Sequence, residues 1–187
     1  MKQIRNNVFE TNSSSTHSIC ISKKPVSVDG HFIRFHIGEY GWENDCVDAA
    51  DYLYTAILEQ DECDELLDKL KKILDKYSIK YNFEEPIYHV SSDGEDKWLE
   101  YGYIDHSYEL KEFLDIILSN EDLLMRCLFG DSCVYTGNDN SSEWTDMCYS
   151  AEDTIYQHEW VNGRYVSESI PNPNHDETKY DYFFKGN

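Results

Sequence analysis

Two short segments near the start of the chain alternate polar and apolar side chains with period two: Ser18-Ile19-Cys20-Ile21-Ser22 and His31-Phe32-Ile33-Arg34-Phe35-His36-Ile37. That alternation predicts two half-buried strands, joined through Val28-Asp29-Gly30. From Val47 the period changes. Val47, Ala50, Leu53, Tyr54, Ile57 and Leu58 fall on one helical stripe, and Cys63, Leu66, Leu67, Leu70, Ile73, Leu74 and Tyr77 on a second. The second helix carries Asp61, Glu62 and Asp64 at its start and Lys69, Lys71, Lys72 and Lys76 further along, a polarity that suits the helix dipole.

Residues 86–90 and 98–104 predict further strands around the turn Ser91-Ser92-Asp93-Gly94. Ser107 is placed to cap a helix whose stripe is Leu110, Phe113, Leu114, Ile117 and Leu118, and a shorter helix follows Asn120. The Gly- and Asn-rich run from Gly130 to Ser142 reads as a loop around a short strand at residues 133–135. Asn162-Gly163, between alternating segments in residues 155–169, is the strongest hairpin signal in the chain. Pro171 to Glu177 reads as a mobile connection, and Tyr180 to Phe184 as a last strand that packs back. With no internal repeat and no linker, residues 1–187 read as one α+β domain, a mixed or antiparallel sheet against three to four helices. Residues 1–36 supply basic N-terminal strands and a Ser/Thr loop, and residues 170–187 a tail.

Composition changes this picture mainly through charge. The chain has 187 residues, 16 Lys+Arg against 37 Asp+Glu, and a formal net charge of −21. Its 14% aromatic content, with 15 Tyr, argues for a folded core rather than an acidic disordered tail. The charge excludes a protein that coats DNA or RNA through many Lys/Arg–phosphate contacts, and it disfavours an anionic membrane surface. No stretch reaches the roughly eighteen apolar residues of a transmembrane helix. The opening residues lack the apolar core of a signal peptide, so the expected location is the cytoplasm.

The charge is unevenly spread. Residues 1–36 hold Lys2, Arg5, Lys23, Lys24 and Arg34 against Glu10 and Asp29, a net of +3, together with three of the seven His. The remainder carries a net of −24. The basic segment either neutralises part of the body or forms a local anion-binding element, where local rather than net charge decides what binds. The six cysteines have irregular spacing and no C-x-x-C pair, and read as reduced, mostly buried thiols. The alternative is a zinc site built from His17, Cys20 and distant thiols.

Three segments are candidates for chemistry. In Phe9-Glu10-Thr11-Asn12-Ser13-Ser14-Ser15-Thr16-His17-Ser18, a run of small polar residues leads straight into an apolar strand. Hydroxyls and main-chain N–H groups of Asn12, Ser13, Ser14, Ser15 and Thr16 can cradle a phosphate. Arg5 adds bidentate charge, and His17 can move a proton near neutral pH. The bland alternative is a surface turn that hydrogen-bonds to itself. In Tyr103-Ile104-Asp105-His106-Ser107, Asp105 either orients His106 for chemistry or caps the following helix. In Phe129 to Asn140, Thr136 and Asn138 add ligand groups around Gly137, while Asp131 and Asp139 are weak candidates to hold a divalent cation such as Mg²⁺ through waters. Otherwise no cofactor is expected. Phosphate-loop, nucleophile-elbow, zinc-protease and dinucleotide fingerprints are all lacking. A His17–His106 pair flanking a phosphate is a metal-free arrangement for cleaving RNA, with one base and one acid.

The opening Arg5-x-x-Val8-Phe9-Glu10-Thr11-Asn12-Ser13-Ser14-Ser15-Thr16-His17-Ser18 resembles the start of a set of small proteins from low-GC Gram-positive bacteria and their phages. Segments 103–107 and 129–140 are similar to other parts of the same set. The resemblance covers about a fifth of the chain in three pieces and brings no activity with it. It implies a mobile-element origin, a host bacterial cytoplasm, and three segments that meet in one site. Acidic phage proteins of this size also resemble anti-defence proteins, including anti-CRISPR inhibitors and DNA mimics. Acidic helices over residues 45–75 and 109–122 supply a mimicking face in that case, with simple solvation as the alternative. Two functions therefore stand. One is an acidic inhibitor of a basic nucleic-acid-binding protein such as a CRISPR nuclease. The other is an enzyme acting on RNA or a nucleotide through His17, His106 and the Ser/Thr loop. Oligomeric state is left open.

Overall fold

The computed structural model describes residues 15–41, 45–94, 97–138 and 150–186. Strand β1 (Ser15–Ser22) lies inside a four-stranded antiparallel sheet. It pairs on one edge with β12 (Tyr180–Gly186) and on the other with β9 (Cys133–Asn138), which in turn pairs with β4 (Asp45–Val47). The alternation in residues 18–22 is real, but the strand is not half-buried: all eight residues of β1 are buried. One face, Ile19 and Ile21 with Val134, joins the hydrophobic core. On the opposite face the polar residues meet polar protein groups instead of water. Ser18 Oγ lies 2.8 Å from Ser150 Oγ and accepts the Ala151 N–H at 2.9 Å. The Cys20 thiol donates to Ser150 Oγ at 3.6 Å.

The core face of this sheet is covered by α1 (Ala49–Leu58), started by Asp48, whose carboxylate accepts the Ala50 and Asp51 N–H groups. Eight of its ten residues are buried, because it touches elements on several sides. Among them are α2 (Cys63–Lys76), which buries the expected stripe of Leu66, Leu70, Ile73 and Leu74, and α4 (Glu121–Phe129), capped by Asn120. A 3-10 turn (Ser107–Leu110) leads into α3 (Lys111–Ile117). Neither Ser107 nor Asp105 caps that helix: the N-cap position of the 3-10 turn is His106, in the left-handed conformation, that of α3 is Leu110, and neither start has a side-chain cap.

Smaller pairings surround α1. Strand β2 (Phe32–Phe35) runs parallel to β5 (Lys80–Phe83), and β3 (Glu39–Tyr40) parallel to β8 (Tyr103–Ile104). Strand β6 (Tyr88–Val90) pairs with β7 (Lys97–Leu99). The segment expected at 31–37 therefore pairs away from β1, with a strand the sequence pattern does not predict. The run expected as a loop from Gly130 also differs, since β9 continues to Asn138 because β1 pairs along its whole length, with β4 on the other edge as far as Thr136. Strands β10 (Thr154–Val161) and β11 (Arg164–Pro171) form the expected hairpin. The residues that follow make contacts with the preceding segment and with β12. Asn172 donates from its side-chain amide to the Glu152 carbonyl at 2.8 Å, and the His175 and Phe183 rings lie 4.0 Å apart.

One charged side chain ties helix to sheet. Arg126 on α4 is buried, and its guanidinium donates to the Ser22 carbonyl at the end of β1 and to the Asp181 carboxylate on β12 at 2.7 Å. Its Nε donates to Asp122 at 2.8 Å. Replacing it strands the Ser22 carbonyl and removes the link between three elements. Arg126→Ala is expected to destabilise the fold by about 2 kcal/mol, whereas Asp122→Ala, at a mostly exposed carboxylate, costs less than about 1 kcal/mol. Urea unfolding of the two variants checks this ordering.

Candidate functional site

The first half of β1, the end of β8 and the last residues of β9 come together on the core face of the main sheet. The register places His17 opposite Thr136, Thr16 opposite Gly137 and Ser15 opposite Asn138. His17 Nε2 lies 2.7 Å from the main-chain carbonyl of Asp105, and Ser15 Oγ donates to the same carbonyl at 3.2 Å while standing 3.3 Å from the imidazole. A carbonyl only accepts, so His17 Nε2 carries a proton and donates it. The approach of the chains is close. At Gly41, with φ +112, an added Cβ would lie 2.8 Å from Asp105 Cβ and 3.2 Å from Ser15 Cβ. Only a residue without a side chain fits there.

Aromatic and acidic groups of α1 and β3 lie beneath His17. The Tyr52 ring stands 5.9 Å from the His17 ring and 5.4 Å from Tyr40. Tyr52 is fully buried, and its hydroxyl has no hydrogen-bond partner among the described residues. Burial, reinforced by Glu59 and Tyr40, pushes its phenol well above the ordinary tyrosine range. Burial likewise raises Tyr40, with Asp51 and Asp48 adding to it. Glu59 Oε2 accepts the Ile104 N–H at 2.8 Å, fixing β8 against α1. Tyr40, Gly41, Tyr52 and Glu59 are not singled out by the sequence. The available signal was the uncharged stretch between Asp51 and Glu59, which marks a helix buried all round rather than on one stripe.

The sequence candidates thus divide. Ser15, Thr16, His17 and Thr136 are all buried, with His17 at 0% exposure. His106 is at the surface, its side chain one-third exposed and its Nε2 3.9 Å from the Asp105 carboxylate. His17 holds the carbonyl of Asp105, the residue before His106, but it has no exposed atom with which to meet a phosphate. Arg5, Asn12, Ser13, Ser14 and Asp139 lie outside the described residues, as does the side chain of Asn138. Asp131 is exposed and lies 3.7 Å from Lys24. It precedes β9, whereas Asn138 ends that strand, roughly 20 Å away at about 3.3 Å per residue.

Three thiols, Cys20, Cys46 and Cys133, occupy the other face of the sheet. His17 and Cys20 are three residues apart on one strand and so point to opposite faces, which separates them as ligands of one ion. Cys20 is directly opposite Cys133, and Cys46 Sγ lies 3.5 Å from Cys133 Sγ. Burial, helped by Cys46, pushes the Cys133 thiol up to about 12. Among the described residues no group of three or more His, Cys, Asp or Glu side chains is arranged to hold a metal ion. A separate cleft of about 350 Å³ is lined by Tyr54, Tyr81, Phe83 and Tyr88, with Lys71 and Lys97 beside them, and includes none of the sequence candidates. No helix among the described residues is long and apolar enough to cross a membrane.

No family model matches the chain, and no similar curated protein or solved structure was found.

Three outcomes follow from this geometry. His17→Ala removes a fully buried ring and its hydrogen bond and is expected to lower stability by about 2–4 kcal/mol. His106→Asn keeps a residue that tolerates the left-handed conformation and stays within about 0.5 kcal/mol of the wild type, both read by thermal unfolding. Iodoacetamide at pH 8 is expected to label exposed Cys46 well before Cys20, Cys127 and Cys133, as read by peptide mass mapping.

Proposed function

We propose that this chain is an acidic binding protein that engages a basic nucleic-acid-processing protein, in the manner of an anti-defence inhibitor of a CRISPR nuclease. It presents carboxylates where such an enzyme receives phosphates. The observation that carries this reading is the acidic surface where the start of α2 meets α3. Asp61 and Glu62 just before α2, Asp64, Glu65 and Asp68 in its first half, and Glu112 and Asp115 along α3 are all exposed. Lys111 joins the two helices through Glu62 at 2.7 Å, and the Glu62 contact, with Asp115 and Asp61 nearby, raises its pKa. The second half of α2 is different: Lys69, Lys72 and Lys76 are exposed among its acids, and Lys76 pairs with Glu121 at 2.6 Å. The mimicking surface is thus narrower than the whole of residues 45–75.

The alternative, an enzyme acting on RNA or a nucleotide, is supported by the convergence of Ser15, His17 and Thr136 with Asp105, and weakened by the burial of His17. Its solvent-facing group is His106. Both readings are tested by adding the purified protein to a guide-loaded CRISPR nuclease and measuring DNA cleavage at low and high salt. Inhibition that weakens at least about tenfold as screening shortens, and that is lost in the triple variant Asp61→Lys, Glu65→Lys, Asp68→Lys, is the expected result. Absence of inhibition across a panel of such nucleases at low salt overturns the proposal. Inhibition lost in His106→Ala with binding intact favours the enzyme.

A further inference from the structure

The β10–β11 hairpin stands apart from the rest of the fold. Each strand has eight residues, and among the described residues neither has a third strand beside it. Two-stranded sheets are marginal in water unless something covers them. This one is exposed along nearly all of β11 and displays Tyr156, Trp160 and Tyr165 at 70%, 74% and 59% exposure. Those aromatics share one face, with Trp160 directly opposite Tyr165 and their rings 5.7 Å apart. An unprotected strand edge of this length is a template for another strand.

The turn defines which groups that edge offers. Asn162 and Gly163 both have positive φ, the two-residue turn of a tight hairpin. Such a turn makes Val161 and Arg164 a hydrogen-bonded pair, so Arg164, Val166, Glu168 and Ile170 bond inward to β10. The residues between them, with Ser167 at their centre, turn their main-chain groups outward. Along β11 the charged side chains are Arg164 and Glu168, four positions apart on the same face, and neither forms an ion pair among the described residues.

We propose that the occupant of this edge is a second copy of the chain, with β11 pairing antiparallel to β11 of the other copy about a two-fold axis at Val166. In that register Arg164 of each copy faces Glu168 of the other, giving two opposite-charge pairs at non-hydrogen-bonded positions, where side chains are closest. A two-fold axis at Glu168 sets that carboxylate against itself, and one at Ser167 sets Arg164 against Ile170. Charge complementarity thus selects one register. The hairpin is also where like-charged molecules can meet. Between Thr154 and Pro171 the only full charges are Glu159, Glu168 and Arg164, against −21 for the whole chain. Pro171, where the hairpin joins the body, is five residues from the axis. The two bodies are then held roughly 30 Å apart, several Debye lengths at about 0.15 M salt. This inference is independent of the proposed function.

The test is sedimentation velocity on the full chain at about 1 to 300 µM, the range suited to a small interface. The wild type is expected to show a reversible monomer–dimer equilibrium. Arg164→Glu and Glu168→Arg alone each turn two attractions into two repulsions and weaken dimerisation on the order of tenfold or more. An equimolar mixture of the two single variants restores the dimer, because each glutamate pair of one copy then faces an arginine pair of the other. The double variant Arg164→Glu, Glu168→Arg restores it as well. A wild type that stays monomeric throughout, single variants that dimerise like wild type, or a mixture that stays monomeric would each overturn the proposal.

Discussion

A strand buried on both faces must satisfy every polar group it carries without water, and β1 carries Ser15, Thr16, His17, Ser18 and Ser22. The rest of the fold is arranged around that demand. The far face requires Ser150 and Ala151 to meet Ser18 and Cys20. The core face requires the Asp105 carbonyl to come down onto His17 and Ser15. The end of the strand requires Arg126 to reach the Ser22 carbonyl. Segments far apart in sequence are thereby pinned to one strand, and the C-terminal β12 closes its open edge.

This constraint gives the unusual Ser/Thr/His run a structural meaning for the part from Ser15 onward. Small hydroxyl side chains let neighbouring segments approach closely, and a histidine adds a ring N–H that can hold a carbonyl across the fold. Gly41 belongs to the same arrangement, since it clears the space in which Ser15 and Asp105 come together. Buried polar networks of this kind are costly when incomplete and specify a single arrangement when complete. The acidic surface of α2 and α3 lies outside this network. In the proposed function, recognition of a partner and integrity of the fold are therefore carried by different residues.

Local pattern made much of the secondary structure legible. The helical stripes of α1 and α2, the Asn120 start of α4 and the Asn162-Gly163 hairpin all follow from short-range chemistry. What stayed hidden depends on long-range pairing. Residues 80–83 become a strand only because β2 lies beside them, and Cys133–Asn138 extends beyond its apolar centre because β1 pairs along its whole length, with β4 on the other edge as far as Thr136. The sequence offers Asp105 either as a group that orients His106 or as a cap; its carboxylate lies 3.9 Å from His106 Nε2, it does not cap the following helix, and the left-handed backbone of His106 is not legible from the pattern. In the candidate site, Ser15, His17, Asp105 and Thr136 were named from the sequence, whereas Tyr40, Tyr52 and Glu59 were not. An aromatic or acidic side chain on a helix does not reveal which strand it will meet.

Strand β1 is the interior strand on which the fold is built, with Ser15, His17, Ser18 and Ser22 all hydrogen-bonded within the protein. Native-state hydrogen exchange measures this most directly. The amides of His17 to Ile21 are expected to exchange only through global unfolding, with protection matching the full unfolding free energy and exceeding that of the β10–β11 hairpin. Exchange of these amides through local opening, at rates like those of the hairpin, would contradict it.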